Sequence, residues 1–297
     1  MKKTIIWVVV IIIIGLGLYL MSSSSKAPAG NDQGDAVINS STTTSVVVDN
    51  KDETVIGKSV EGRDIIAYNY GTGATKLLFV GGIHGGYEWN TVLLAYQLMD
   101  YLKANPNVIP KNIQVTVIPV LNPDGLNRVV GTSSRFAAGD VPKAQEILIA
   151  GRFNAHQVDL SRNFDCDWQS KGTWQTRSVS GGSAAFSEPE SLALKNYIEA
   201  GKPSAAVFWY SAAGGVFSSS CHAGVSAETR LLTNTYAKAA GYPAYEEFTS
   251  YEITGDAVNW LAKENIPAAS VLLTTHDNVE WDKNLAAVKA VINSYAK

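Results

Sequence analysis

Hydrophobic and polar positions along the chain define three successive parts. An unbroken apolar run without any charge occupies positions 5–21, and Lys2 and Lys3 precede it. A run of this length can cross a bilayer core as a helix, so residues 1–21 are predicted to form an N-terminal transmembrane helix that acts as a signal anchor. The lysines before the run, and the lack of a basic cluster after it, predict that the bulk of the chain is extracytoplasmic. The alternative is a secreted protein whose signal peptide is cleaved near positions 27–29.

The second part of the chain is polar. Residues 22–53 are rich in Ser, Thr, Gly, Asp and Asn and contain few large apolar side chains. A segment of this composition buries too little apolar surface to fold alone, because the conformational entropy lost on ordering exceeds the free energy gained from burial. Residues 22–53 are therefore predicted to be a flexible stalk between the apolar run and the rest of the protein.

In the third part, residues 54–297, strand-like and helix-like segments alternate. This alternation predicts one α/β domain with helices on both faces of a sheet. The tetrapeptide at 122–125, Asn-Pro-Asp-Gly, is a dense turn signal. Strands are predicted at 54–59, 64–70, 76–82, 113–120, 205–210 and 268–273, and helices at 91–103, 188–200, 227–240, 256–264 and 282–295.

Composition and charge narrow the classes of function. The 297 residues are 46% hydrophobic and 17% charged, as expected for a globular protein with a buried core. Because 24 basic residues face 27 acidic ones, no global positive field is available to hold a nucleic-acid backbone, and nucleic acid is excluded as a partner. The two cysteines, Cys166 and Cys221, are too few for a disulfide framework and lack the spacing of a structural zinc site. A disulfide between the two cysteines is one of two alternatives, since an extracytoplasmic domain meets oxidising conditions.

Polar residues follow several of the predicted strands, where α/β sheets bind their ligands. His84 and Glu88 lie on a glycine-rich loop after the strand at 76–82. These two side chains can reach one zinc ion if the loop turns back on itself, although a loop histidine with ordinary hydrogen bonds is the simpler alternative. Arg162 is suited to fork onto a carboxylate, or else to form an ordinary salt bridge.

Eight stretches in order along the domain resemble the carboxypeptidase A family of zinc metallopeptidases. The resemblance implies an α/β/α sandwich on a mixed, twisted sheet. It also implies one zinc ion and hydrolysis of a C-terminal amide by zinc-bound water, with a glutamate as general base. The stretches are IGKSVEGRDI, FVGGIHGGYEWN, NPDG, VDLSRNFD, SGGSAAFSEPE, VFWYSAAGG, SYEITGD and IPAASVLLTTHD.

The resemblance assigns roles to five residues of the candidate site. His84 and Glu88 match the first two zinc ligands, although the family spaces them as His-x-x-Glu and one extra residue intervenes here. Arg162 matches the arginine that holds the C-terminal carboxylate of the substrate. Ser161 stands where the family has the asparagine that assists this arginine, and Tyr251 matches the tyrosine that closes the site.

The remaining family positions are less regular. Arg135 is assigned to the arginine that polarises the scissile carbonyl, with Arg128 as the alternative. The third zinc ligand should be a histidine, but Tyr210 occupies that position, and Leu272 occupies the position of the general base. Leucine cannot accept a proton, and a missing general base typically costs roughly 10² to 10⁴ in rate. Zinc binding is accordingly expected to be weak or absent.

These departures favour a membrane-anchored domain that has lost ordinary catalysis. It would bind peptides with a free C-terminal carboxylate, for example peptidoglycan stem peptides, through Arg162. One alternative is an active metallocarboxypeptidase with rewired ligands, and another is a non-catalytic domain that contacts a protein partner through tryptophans. The candidate replacement ligands are His222, His276, Asp277 and Glu280, and the candidate partner contacts are Trp89, Trp168 and Trp174.

Overall fold

The structure is a computed structural model and describes residues 52–296. The predicted transmembrane helix at 1–21 and nearly all of the predicted stalk at 22–53 lie outside the described residues. Within 52–296, no helix combines the length and the apolar character that crossing a membrane requires.

Eight of the ten described strands form one mixed sheet, and the other two form a separate antiparallel ribbon. The strands are β1 (Glu53–Lys58), β2 (Asp64–Tyr70), β3 (Thr75–Val80), β4 (Ile113–Ile118), β5 (Lys171–Trp174), β6 (Arg177–Ser180), β7 (Ala205–Ser211), β8 (Gly215–Ser218), β9 (Ala244–Tyr245) and β10 (Ala268–Leu273). The order in the sheet is β1-β2-β4-β3-β7-β10-β8-β9, and β5 pairs with β6. The four central strands β4, β3, β7 and β10 are parallel, so their carboxyl ends meet at one edge of the sheet.

The described chain contains seven α-helices. They are α1 (Trp89–Ala104), α2 (Pro123–Val130), α3 (Gln145–Ala150), α4 (Pro189–Gly201), α5 (Ala227–Ala240), α6 (Ala257–Lys263) and α7 (Trp281–Tyr295). Alternate residues of β3 show the two layers. Leu77 and Phe79 join the apolar core formed with α1, α5 and α7, whereas Leu78 and Val80 join the core formed with α4 and α6. The predicted α/β/α sandwich is thus the architecture of the described domain.

The turn predicted at 122–125 is wrong, because this segment forms the start of α2. Asn122 caps this helix by accepting a hydrogen bond from the backbone N–H of Gly125 at 2.8 Å, and Pro123 occupies the first turn. Asparagine at the cap and proline just inside the start are both favoured at helix N-termini, so the same residues that indicate a turn also begin a helix.

A disulfide joins Cys166 to Cys221, whose Cα atoms are 6.1 Å apart. Cys166 follows the segment that contains Arg162, and Cys221 lies in the loop after β8. The pairing that the sequence leaves open is therefore present, and it connects two segments that border the candidate site.

Candidate functional site

The loop after β3 carries the first two polar residues of the site. It leads directly into α1, so that Glu88 precedes the first helical turn. His84 Nδ1 lies 2.9 Å from Glu88 Oε1, and both side chains are buried. The loop can turn back tightly because Gly85 has a φ of +46°, and a Cβ there would lie 2.7 Å from the carbonyl oxygen of Gly151. The extra residue between His84 and Glu88 therefore does not separate them.

A buried arginine that the sequence analysis did not single out lies beside this pair. Arg152 Nη1 is 3.2 Å from His84 Nδ1, and Arg152 Nε donates a hydrogen bond of 2.8 Å to Asp159 Oδ2. Burial alone would raise the pKa of Asp159, but the charge of Arg152 and the contact with His84 outweigh it and hold this pKa well below its usual value. Asp159 is thus an anion that fixes both the arginine and the histidine.

Ser161 lies in the same hydrogen-bonded cluster. Its hydroxyl donates to Asp159 Oδ1 at 2.8 Å and lies 2.9 Å from His84 Nε2. The Oγ atom also accepts from Arg162 Nη1 at 3.2 Å. Because the only hydroxyl hydrogen points to Asp159, Ser161 is less able than an asparagine amide to donate to a bound carboxylate.

The positions of the third zinc ligand and the general base are neighbours in the sheet. Tyr210 on β7 pairs in register with Leu272 on β10. The Tyr210 ring lies 5.4 Å from the His84 ring, but its hydroxyl donates to Asp256 Oδ1 at 3.3 Å. Burial, followed by the negative charges of Asp256 and Glu88, raises the pKa of Tyr210 well above 10. The phenol is therefore a neutral hydrogen-bond donor.

These residues do not fit a catalytic zinc site, which requires three protein ligands and an open position. An imidazole and a carboxylate are available from His84 and Glu88, but the third group is the protonated phenol of Tyr210. The Arg152 guanidinium adds positive charge 3.9 Å from Glu88 Oε1. Across the described range 52–296, no group of three or more His, Cys, Asp or Glu side chains is arranged to hold a metal ion.

The candidate replacement ligands do not join His84 and Glu88 in a common ligand set. His222 pairs with Asp167 at 2.9 Å, and its side chain is 75% exposed. His276 Nδ1 lies 2.8 Å from Ser211 Oγ. Glu280 accepts hydrogen bonds from Thr274 and Tyr242. In the described chain, the hydrogen bond of Asp277 runs from its backbone N–H to Thr275 Oγ1, and its carboxylate has no polar contact.

Arg162 is buried without a carboxylate partner. The residue is 2% exposed, and no Asp or Glu oxygen within residues 52–296 lies within 4.0 Å of its side-chain nitrogens. Nη1 donates to the carbonyl of Ser161 at 2.8 Å and Nη2 to that of Thr173 on β5 at 2.9 Å, whereas Nε has no partner. A buried charge is costly unless it is paired, so this arginine is suited to an anion supplied from outside the chain.

Arg162 lines a cavity of about 780 Å³. Tyr251 lies on its border, with the Arg162 guanidinium 5.8 Å from the centre of the phenol ring. Burial raises the pKa of Tyr251, which keeps this phenol protonated. His84, Arg152, Ser161, Tyr210 and Leu272 line the same cavity. The structure thus brings together the predicted site residues other than Arg135.

Arg135 lies apart from this cavity, which corrects its predicted placement. Its guanidinium forms two hydrogen bonds with Asp100, at 2.6 and 2.9 Å, and lies over the ring of Tyr96. The arginine beside His84 is Arg152. A signal for it exists in the sequence, because Arg152 is the only charged side chain between positions 147 and 158. The alternative, Arg128, donates to the carbonyl of Ala150.

The tryptophans proposed as partner contacts are engaged within the domain. Trp89 and Trp174 are 6% and 4% exposed. Trp174 also packs against the Arg152 guanidinium, which lies 4.3 Å from its ring. The indole N–H of Trp168 donates to the carbonyl of Gly181 at 2.8 Å. Trp89 and Trp174 therefore offer little surface to a protein partner.

Gly255 fixes the segment after Tyr251 against Arg162. Its N–H donates to the carbonyl of Cys166 and its carbonyl accepts from Phe164, while a Cβ at this position would lie 2.4 Å from the carbonyl oxygen of Arg162. The φ of +62° also favours glycine. No side chain fits here without displacing the backbone of the arginine.

We expect Gly255→Ala to lower the free energy of unfolding by more than the ~1 kcal/mol that a left-handed conformation costs a non-glycine residue. The matched control is Gly241→Ala, at a position with a φ of +70° and no atom within 4 Å of the added Cβ. Urea denaturation of both variants measures the difference. Equal losses would contradict the close packing of Gly255 on Arg162.

Solved structures with the same fold are metallocarboxypeptidases and their relatives. Bovine thrombin-activatable fibrinolysis inhibitor, in complex with tick carboxypeptidase inhibitor, aligns over 82% of this chain and 89% of its own, with 17% identity and a TM-score of 0.66. Carboxypeptidase A from Helicoverpa armigera aligns over 82% and 68%, with 17% identity and a TM-score of 0.61. The murein-tripeptide amidase MpaA from Escherichia coli O157 aligns over 80% and 90%, with 19% identity and a TM-score of 0.55.

The fold of the described domain is therefore the one that these solved structures share. The chain belongs to the zinc carboxypeptidase family, because the model of that family, Peptidase_M14, matches residues 51–278. The resemblance found in the sequence is confirmed. A bacteriocin from Clostridium perfringens, BCN5, is 30% identical over 156 residues, which make up 51% of this chain and only 16% of that protein.

Proposed function

We propose that this domain binds peptides through their free C-terminal carboxylate and does not hydrolyse them. The observation that carries the proposal is Arg162, which is buried at the border of a cavity and has no carboxylate partner in the described chain. Charge-assisted hydrogen bonds between a guanidinium and a carboxylate are strong and directional. A peptide terminus would supply the negative charge that the protein does not.

The catalytic part of the proposal concerns the residues at 210 and 272. A neutral phenol hydrogen-bonded to Asp256 supplies no third metal ligand, and a leucine supplies no general base. Within the buried cluster, Arg152 and Asp159 form an ion pair with each other. The site therefore retains groups for holding a peptide and lacks groups for activating water.

We also propose that residues 1–21 anchor the protein in a membrane and that the domain lies outside, at the end of the stalk at 22–53. The apolar run at 5–21 supports the anchor. The Cys166–Cys221 disulfide supports the extracytoplasmic side, since disulfides persist mainly in oxidising compartments.

The proposed ligands include peptidoglycan stem peptides. One protein of the same fold is named a murein-tripeptide amidase, which supports a cell-wall peptide as the natural ligand. The proposed pairing with Arg162 would recognise the carboxylate that all such peptides share.

The proposal is tested with one peptide in two forms, a free acid and its C-terminal amide. The full chain in a mild detergent, with zinc present, should bind the free acid at least tenfold more tightly than the amide, because only the free acid pairs with Arg162. Isothermal titration calorimetry measures both affinities, and mass spectrometry of the same mixtures follows the peptide. Equal affinities, or release of the C-terminal residue, would refute the proposal.

A further inference from the structure

The described domain has a second cavity, of about 710 Å³, which shares no lining residue with the cavity that contains Arg162. It is bordered by the end of β2, the second half of α1 and the loop after α2. Because β2 runs antiparallel to β4, the end of β2 lies beside the amino end of β4. The first cavity contains His84, which follows the carboxyl end of β3, a strand parallel to β4. The two cavities therefore lie towards opposite edges of the parallel strands.

Three tyrosines line this second cavity, which we call the tyrosine cavity. Tyr68 and Tyr70 are two residues apart on β2, so they lie on one face of the sheet, where both pack against the core that includes α1. Tyr96 lies on α1 and is 7% exposed. Burial raises the pKa of Tyr70 and of Tyr96 to about 12, so both phenols keep their hydrogen at neutral pH.

The hydroxyls of these tyrosines are without partners in the described chain. Within residues 52–296, no side-chain hydrogen bond reaches any of the three phenols, whereas the neighbouring Asn69 side chain is bonded to Thr116 at 2.8 Å. Other residues of this range hold the polar atoms that are fully enclosed and unpartnered, so the Tyr96 hydroxyl opens onto the cavity. A buried phenol normally has a hydrogen-bond partner, and here a ligand can supply it.

Arg135 holds the ring of Tyr96 in place and offers further donors. Its guanidinium lies 4.6 Å from the centre of that ring, and two of its five N–H groups donate to Asp100. The other charged residues of the lining are exposed, namely Asp52, Glu53 and Lys103. Since three carboxylates and two cations line the cavity, its charges nearly balance, which favours an uncharged ligand.

Apolar side chains complete the lining of the tyrosine cavity. A ligand that fits it must cover apolar surface and at the same time exchange hydrogen bonds with phenols. A pyranose sugar has this character, because its ring presents C–H groups on its faces and hydroxyls around its edge. A tyrosine offers the matching pair, an apolar ring face and a polar tip. The apolar residues are Met99, Leu102, Pro106 and Ile109.

From this arrangement we infer that the tyrosine cavity is a binding site for a neutral oligosaccharide. The sugar hydroxyls exchange hydrogen bonds with the phenols and with the free N–H groups of Arg135, while the sugar rings cover the aromatic and apolar lining. The inference goes beyond the proposed peptide binding and does not depend on it. Because the two cavities are separate, the domain holds a sugar and a peptide at the same time.

The inference is tested by titrating the full chain, in a detergent without sugar groups, with chitotetraose, the uncharged tetramer of N-acetylglucosamine. Isothermal titration calorimetry should show saturable one-to-one binding. Tyr96→Phe should weaken this binding by about threefold or more, and Tyr70→Phe combined with Tyr96→Phe by about tenfold or more, because each change removes one hydroxyl that the ligand uses. Thermal melting of Tyr96→Phe should match that of the unaltered protein, since the lost hydroxyl has no partner in the described chain.

Tyr101→Phe is the matched control. Tyr101 lies on the same helix as Tyr96, but its ring is 6.1 Å from that of Trp281 and it does not line the tyrosine cavity. This variant should keep the full affinity for chitotetraose. A saturating free-acid peptide should also leave that affinity unchanged, because no residue lines both cavities.

Three results would overturn the inference. The first is that chitotetraose does not bind, or binds Tyr96→Phe as tightly as the unaltered protein. The second is that the peptide displaces the sugar, which would place the sugar in the cavity of Arg162. The third is that the peptide binds at two sites and Tyr96→Phe removes one of them, which would assign the tyrosine cavity to peptides.

Discussion

Tyr210→His combined with Leu272→Glu should give a protein that binds one zinc ion and releases C-terminal residues. The two positions are paired across β7 and β10, and both line the cavity that contains His84. The double substitution supplies the third ligand and the general base together. Loss of even an outer-shell partner costs a metal site about 10- to 100-fold in affinity, so a restored direct ligand should raise zinc affinity by more than about 100-fold.

The single variants are the controls for this experiment. Tyr210→His alone should gain zinc without appreciable hydrolysis, and Leu272→Glu alone should gain neither. The general base should account for roughly 10² to 10⁴ in rate between the double variant and Tyr210→His. Metal analysis with a dye-competition titration measures zinc, and mass spectrometry of a peptide substrate measures turnover. Tight one-to-one zinc in the unaltered protein would contradict our assignment of the site.

Arg162→Gln should weaken binding of a free-acid peptide by about 100-fold or more. Glutamine removes the positive charge and the forked donors, and truncating one partner of a buried charge pair typically costs about 2–5 kcal/mol. The affinity for the amidated peptide should stay the same, because that ligand lacks the carboxylate. A loss of affinity for both forms would instead indicate that the arginine only supports the fold.

Arg162→Lys and Arg135→Gln are the comparison variants for the affinity measurement on Arg162→Gln. Lysine keeps the charge but not the bidentate geometry, so its loss should be intermediate. Arg135 is 53% exposed in its side chain and pairs with Asp100 away from the cavity, so its replacement should leave the affinity unchanged. Thermal melting of each variant separates effects on binding from effects on folding.

The central strands and most of the flanking helices could be predicted because their apolar periodicity extends over enough residues. β5 and β6 were missed since each has only four residues, and β6 reads Arg-Ser-Val-Ser with one buried side chain. Their importance lies in tertiary contacts, because the carbonyl of Thr173 receives a hydrogen bond from Arg162. A pattern of hydrophobic positions holds no information on such a contact.

The site residues also differ in whether local sequence or only tertiary contacts could identify them. His84, Glu88 and Arg162 lie in short local motifs, and these motifs together with the family resemblance were enough to select them as candidates. Arg152 could be assigned only after folding, since it contacts His84, which is 68 residues away in the chain. Arg135 shows the reverse case, where order along the chain suggested a role that its position in space does not allow.

The disulfide has a consequence for when the binding site becomes complete. Cys166 and Cys221 are 55 residues apart, and the segment between them contains β7, a central strand, as well as the ribbon that contacts Arg162. Closing a loop of this size contributes about 4 kcal/mol in the chain-entropy model. A newly made chain in a reducing compartment would lack this contribution, and the two walls of the cavity would not be tied together. Under the proposed extracytoplasmic location, the disulfide would form only after export, and the two segments that border the cavity would be joined only there.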